Sequence, residues 1–204
     1  MAGLKEDDFM MPLRITQFGE PILREKGAKI EQFDAALKQL ATDMLATMYA
    51  AEGIGLAAQQ VNKAVQLFVM DLQLRPEDIR FDYTFDGKKP PLELIMPLTV
   101  VNPAVQVSGD EEDYEEGCLS FGSIRGAVKR PLHVKMNFQD VEGHPHTVEC
   151  DGIFARCILH EYDHLQGVLF IDRMETRVVR LLESKLKKLK RHSRDFLKQQ
   201  KFGQ

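Results

Sequence analysis

His160-Glu161-Tyr162-Asp163-His164 is the stretch whose reading decides this chain. On an α-helix each residue advances by roughly 100°. His160 and His164 therefore lie one turn apart on one face. Two imidazoles so placed can grip one metal ion from the same side. Glu161 is offset round the helix, near enough to touch a water on that ion without binding the ion itself. Two ligands and one general base make the HExxH pattern. Ile153 and Cys157 continue the helical spacing, and Gly167 is a stop just past the end. The helix is expected from about Gly152 to Leu165.

Upstream of it, Val134 to Phe138 and His146 to Glu149 read as short strands around a Glu142-Gly143 turn. Val65 to Asp71 is strand-like, with Leu67, Phe68, Val69 and Met70 nearly continuous. Thr99 to Val107 is another strand, placed near a sheet edge by Pro103. Asp34 to about Ala50 is helical: Leu37, Leu40, Met44, Leu45 and Met48 form one apolar stripe, and Asp34 can cap its start. Pro12 to Lys26 reads as an irregular arm broken by Gly19 and Pro21. Residues 72–98 carry Pro76, Pro90, Pro91 and Pro97 with an Asp86-Gly87 turn, so a long surface excursion with a small hairpin is expected. Asp110 to Glu116 holds six acids among seven residues and reads as a solvated loop. From Glu175 a long helix begins, burying Val178, Leu182, Leu186, Leu189 and Phe196. The fold class is α+β: one domain over 1–204, with short mixed sheets around the central metal-binding helix and a basic C-terminal helix over 175–200.

Hydrophobic content of 44% and charged content of 28% are ordinary for a globular protein. No apolar run approaches the roughly 20 residues that span a bilayer. Residues 1–9 lack the basic start and apolar core of a signal peptide, so the cytoplasm is expected. Three cysteines, Cys118, Cys150 and Cys157, do not suggest a disulfide framework and remain free to ligate metal. Residues 177–204 hold ten Lys/Arg against two Asp/Glu, whereas the whole chain has a net charge of −4. The tail and the body are therefore of opposite sign.

A catalytic metal needs a third protein ligand and an open position. Cys157 shares the helix of His160, and one helix strains to give three ligands to one ion, so Cys157 reads as an apolar wall. Phe170 stands where an HExxHxxGxxH enzyme has its third His, so that protease class fails. Glu183 lies at a distance used by some zinc proteases, but Leu182 and Leu186 already claim the inward stripe there. Cys118 remains, in a short Gly-Cys loop between strand-like segments. A thiolate donates more charge than a third imidazole and suits softer divalent ions such as Fe(II) or Zn(II).

Three motifs now stand in order: Gly53-Ile-Gly-Leu-Ala-Ala-Gln-Gln60, Glu116-Gly-Cys-Leu-Ser120 and His160-Glu-Tyr-Asp-His164. In order and spacing the chain resembles the peptide deformylase family from about Ile15 to Met174. The first motif alone is only a tight, small-residue turn; it lacks the Lys and Ser/Thr of a nucleotide loop. The resemblance implies hydrolysis of the N-formyl group of formyl-methionine on new polypeptides. It implies one divalent ion on Cys118, His160 and His164, physiologically Fe(II), with Zn(II), Ni(II) or Co(II) also able to fit. Glu161 would move protons, and the Gln60 amide and Leu119 N–H would donate to the formyl oxygen. Gly55 would narrow the site, with Arg125 near the peptide backbone and Glu116 among the substrate-binding set. By position, Ile54, Ile153 and Cys157 are candidates for an apolar pocket for the Met side chain. Asp163 lies off the ligand face and has a supporting role. The basic tail resembles the helix with which the bacterial branch docks on the ribosome. A monomer with no membrane contact is expected. Two rivals are a zinc peptidase using Glu183 and a non-enzymatic, metal-stabilised ribosome-binding module.

Overall fold

The computed structural model describes residues 12–72 and 81–202. Its frame is one antiparallel sheet of six strands: β1 (Gly55–Ala57), β2 (Leu67–Met70), β3 (Tyr83–Phe85), β4 (Leu98–Gly117), β5 (Arg125–Gln139) and β6 (Pro145–Cys150). The spatial order is β1-β2-β4-β5-β6-β3. Three helices pack on it: α1 (Ala35–Ala50), α2 (Gly152–Leu165) and α3 (Thr176–Phe202).

Helix α1 starts where its cap was expected, with the Asp34 carboxylate accepting from the Leu37 N–H at 2.9 Å. Satisfying an orphan N–H in the first turn is what Asp does well at this position. Leu37, Met44 and Met48 then pack against Leu56, Leu67 and Val69. Helix α2 presses Phe154, Ile158 and Leu165 into the principal core, against Phe68, Met70, Met136 and Val148 of the sheet. It is therefore sheathed on one side by sheet and leaves its other side to the site.

Three local readings yield to tertiary structure. The strand carrying Pro103 lies inside the sheet, between β2 and β5, not at an edge. Pro103 is tolerated because the register slips between Val101 and Ala104, where the residue before it, Asn102, has φ 51°. Asn102 turns this bulge into an anchor: its side-chain oxygen accepts from the Ile30 N–H and its amide donates to the Ile30 carbonyl, both at 2.8 Å. The acidic run 110–116 is strand rather than loop. It forms the end of β4, with Asp113 opposite Lys129 and Glu112 opposite Arg130 on β5. Opposite charges across a strand pair offset the repulsion that the run has on its own. The 72–98 excursion keeps its expected small hairpin, with Phe85 bridging Lys88 across the Asp86-Gly87 turn, but it is part of the sheet rather than purely surface chain where it is described, because β3 pairs with β6. Residues 73–80 of that expectation lie outside the described residues.

Helix α3 buries the predicted stripe. Leu186 is in a second core with Phe121, Phe170 and Met174, and Val178, Leu182 and Leu189 lean on it. The Ser193 hydroxyl donates to the Phe18 carbonyl at 2.8 Å, and the Arg14 guanidinium lies 4.4 Å over the Phe196 ring. The N-terminal arm thus straps the helix to the body.

Candidate active site

His160 and His164 project from α2 toward the end of β4, where Cys118 follows directly on Gly117. The His160 and His164 rings lie 5.2 Å apart, as expected one helical turn apart. The ligand atoms of Cys118, His160 and His164 all lie within 4.8 Å of one another. Cys118 Sγ is 3.3 Å from His164 Nε2. Bonds of about 2.0–2.3 Å from a single ion to nitrogen and sulfur suit donors at such separations. A thiol and two imidazoles are a donor set for a soft to borderline divalent ion. Among the described residues this is the only such His/Cys/Asp/Glu group.

Behind the donors is a buried ionic network. His160 Nδ1 is 3.0 Å from Glu116 Oε2, which leaves Nε2 for a ligand. Arg130 grips Glu116 with two donors, at 2.7 and 3.0 Å, and reaches Asp163 at 2.8 Å. Arg156 also donates to Glu116 at 3.0 Å, and Arg173 to Asp163 at 2.7 Å. Burial pushes the Glu116 carboxyl up, but hydrogen bonds from His160 and Arg130 outweigh it and bring the pKa down to about 2. Glu116 is thus a fixed carboxylate. Its oxygens face the His160 ring and the guanidinium groups of Arg130 and Arg156.

None of the three arginines was singled out in sequence. The signals are faint: Arg130 alternates inward with Val128 on β5, and Arg156 precedes His160 by one turn.

Glu161 is 4% exposed and Oε2 has no protein partner. Burial pushes its pKa up to about 7, against the opposing pull of His160 and Arg130. Gly55 explains how it fits. A Cβ at Gly55 would overlap Glu161 Oε1 and lie 2.9 Å from its Cδ. Only a glycine lets β1 run this close to the carboxyl.

Gln60 is fixed from the other side. Its Oε1 accepts from the Ala57 N–H at 2.8 Å. That N–H can only donate, so the amide nitrogen must face the site. It lies 3.5 Å from Cys118 Sγ and 3.2 Å from Ser120 Oγ.

A cavity of about 350 Å³ opens over these groups. Ile54, Gly55, Gln60, Glu116, Cys118, Leu119, Arg125, Ile153, Cys157, His160 and Glu161 all line it. His164 lies behind, 1% exposed. Arg125 is exposed at the mouth. Tyr114 and Arg156, which sequence reasoning passed over, also line the cavity, the guanidinium 5.1 Å from the Tyr114 ring centroid. Glu183 is on the far, solvated side of α3, paired with Lys187 at 2.7 Å, and does not approach the histidines' site. The peptidase rival thus loses its ligand.

An antiparallel α+β frame that closes a thiol, two imidazoles and a buried carboxyl around one cavity defines the class as a metal-dependent hydrolase. Comparison narrows it. The family profile described as polypeptide deformylase matches residues 12–179. A peptide deformylase of Opitutus terrae is 52% identical over 186 residues, covering 90% of this chain and 96% of its own. One from Brucella suis is 40% identical, covering 83% of this chain and 89% of its own. The crystal structure of a Synechococcus elongatus peptide deformylase in complex with actinonin superposes with a TM-score of 0.72 at 39% identity, covering 85% of this chain and 88% of that one. The chain belongs to the polypeptide deformylase family. Its reaction is hydrolytic removal of the N-formyl group from the formyl-methionine of new polypeptides, releasing formate. No helix among the described residues is long and apolar enough to cross a membrane.

Proposed function

We propose that Cys118, His160 and His164 hold one divalent ion and that Glu161 carries the proton through the reaction. The observation behind this is the convergence of three donor atoms beside a buried carboxyl that has an unpartnered oxygen. When bound, the ion acidifies water and polarises the formyl oxygen. Glu161 accepts the proton of the attacking water and returns it to the departing amine, so that formate and a free amino terminus leave. As the formyl carbon becomes tetrahedral its oxygen gains charge. The Gln60 Nε2 and the Leu119 N–H donate to that oxygen. Gln60 does so without reorganising, because Ala57 already holds its other end.

The Met side chain enters the cavity between Ile54, Ile153 and Cys157, and Arg125 meets the peptide at the mouth. Gly55 and Glu161 leave little space at the reacting carbon. Crowding by one extra methyl is worth about 1–3 kcal/mol against acetylated chains. Glu116 serves as a positioning residue for His160. Glu116→Gln is expected to weaken metal retention by about 10–100-fold, the usual effect of a lost ligand-orienting partner. Dialysis against graded chelator, read by metal analysis, measures it.

The metal in cells is Fe(II), with Zn(II), Ni(II) and Co(II) fitting the same donors. The chain acts as a cytoplasmic monomer. Formate release from a formyl-Met tripeptide by anaerobically purified protein, matched to metal content, tests the core of this reading. Activity that survived complete metal removal would overturn it.

The exposed flank of α3 meets the ribosome. Lys187, Lys188, Arg191 and Arg194 lie along a groove against Gly19 and Pro21. Removing the helix would also strip Leu186 from the core, so charge reversal is the cleaner probe. Lys187→Glu with Arg191→Glu is expected to abolish salt-sensitive co-sedimentation with ribosomes while formate release persists.

A further inference from the structure

Two glycines of one short loop touch the two working sides of the site. Gly55 abuts the Glu161 carboxyl, as described. A Cβ at Gly53 would lie 2.8 Å from Leu119 Cδ1. The segment 53–55 is thus the surface against which both the Glu161 carboxyl and the side chain of Leu119, the residue whose N–H is the proposed donor, are seated.

What holds this segment lies outside the cavity. Helix α1 ends at Ala50, and the chain turns through Glu52 at φ 55°, with the Gly53 N–H donating to the Met48 carbonyl at 2.9 Å. On its other side the Asp71 N–H donates to the Ile54 carbonyl at 3.0 Å, just beyond the β1–β2 ladder. The Asp71 carboxylate in turn accepts from the Tyr49 hydroxyl at 2.7 Å. Tyr49 belongs to the last turn of α1. One hydrogen bond therefore ties the helix before the loop to the strand end that grips it. Neither Tyr49 nor Asp71 lines the cavity.

We infer that Tyr49 and Asp71 are positioning residues: their hydrogen bond latches the 53–55 segment so that Glu161 and Leu119 meet the substrate in register. The inference rests on the roles proposed for Glu161 and Leu119. Misplacing reacting groups by about 1 Å can cost 10²-fold in rate. One latch bond leaves the ladder in place, so a smaller loss of about 3–10-fold in kcat is expected for Tyr49→Phe.

The test compares Tyr49→Phe, Asp71→Ala, Asp71→Asn and the double variant Tyr49→Phe/Asp71→Ala in the metal-loaded enzyme. Tyr49→Phe and Asp71→Ala should lower kcat equally, with KM within about twofold and with metal content and thermal midpoint unchanged. Asp71→Asn keeps an acceptor for the hydroxyl and should restore kcat. The double variant should be no worse than either single one, because both remove the same bond. Unchanged kcat in Tyr49→Phe, a loss confined to KM, or Asp71→Asn as poor as Asp71→Ala would overturn the latch. A fall in thermal midpoint that accounts for the loss would do the same. If Glu161→Gln keeps its activity, the reading beneath the latch fails; if Glu161→Gln is inactive and Tyr49→Phe is normal, only the latch fails.

Discussion

Glu161→Gln is expected to lower kcat by about 10²–10⁴-fold while the protein keeps its full complement of metal. The amide matches the carboxylate in size, so it fits against Gly55 and leaves the ligand geometry intact. It cannot take up a proton at neutral pH. Burial holds the wild-type carboxyl near a pKa of about 7, where both its forms are accessible. That is the condition for a group that must gain a proton and then give it away. Formate release and metal stoichiometry, measured on one preparation, check this. Activity within tenfold of wild type would sink the assignment of Glu161 as the proton carrier.

Cys118→Ala is expected to empty the centre. Two imidazoles one turn apart remain, but the third donor and its negative charge are lost. Replacing a partner that merely orients a ligand weakens metal binding by 10–100-fold; deleting a ligand should exceed that, to more than about 100-fold, and formate release should fall to background. The Gln60 amide also loses a partner, since its Nε2 lies 3.5 Å from Sγ. Retention of metal and activity in this variant would require a donor other than Cys118. Glu183 is not that donor, because its carboxylate is exposed and paired with Lys187.

Much of this was legible in sequence because the signals are local. The i, i+4 spacing of His160 and His164 needs only a helix, and the apolar residues Phe154, Ile158 and Leu165 supply the driving force for one. Asp34 announces the start of α1 through its own side chain. The stripe on α3 is periodic over many turns. What could not be read is non-local. The run Asp110–Glu116 looks like solvated chain until β5 places Lys129 and Arg130 opposite it. Pro103 argues for an edge until a bulge at Asn102 absorbs it. Arg130 and Arg156 look like surface cations and become interior ones because Glu116 and Asp163 meet them there. An isolated buried charge would be prohibitive, so each is acceptable only in the presence of the others.

The ordering of donors along the chain, and hence the chemistry open to it, belongs to the sequence by itself: a thiol, a paired imidazole turn and an adjacent carboxyl are fixed by residue type and helical period. Their convergence belongs to the tertiary structure, because Cys118 and His164 are 46 residues apart and meet only when β4 ends beside α2. So does the state of each group, since desolvation and the Glu116–Arg130 pair act through space and leave no trace in the order of letters.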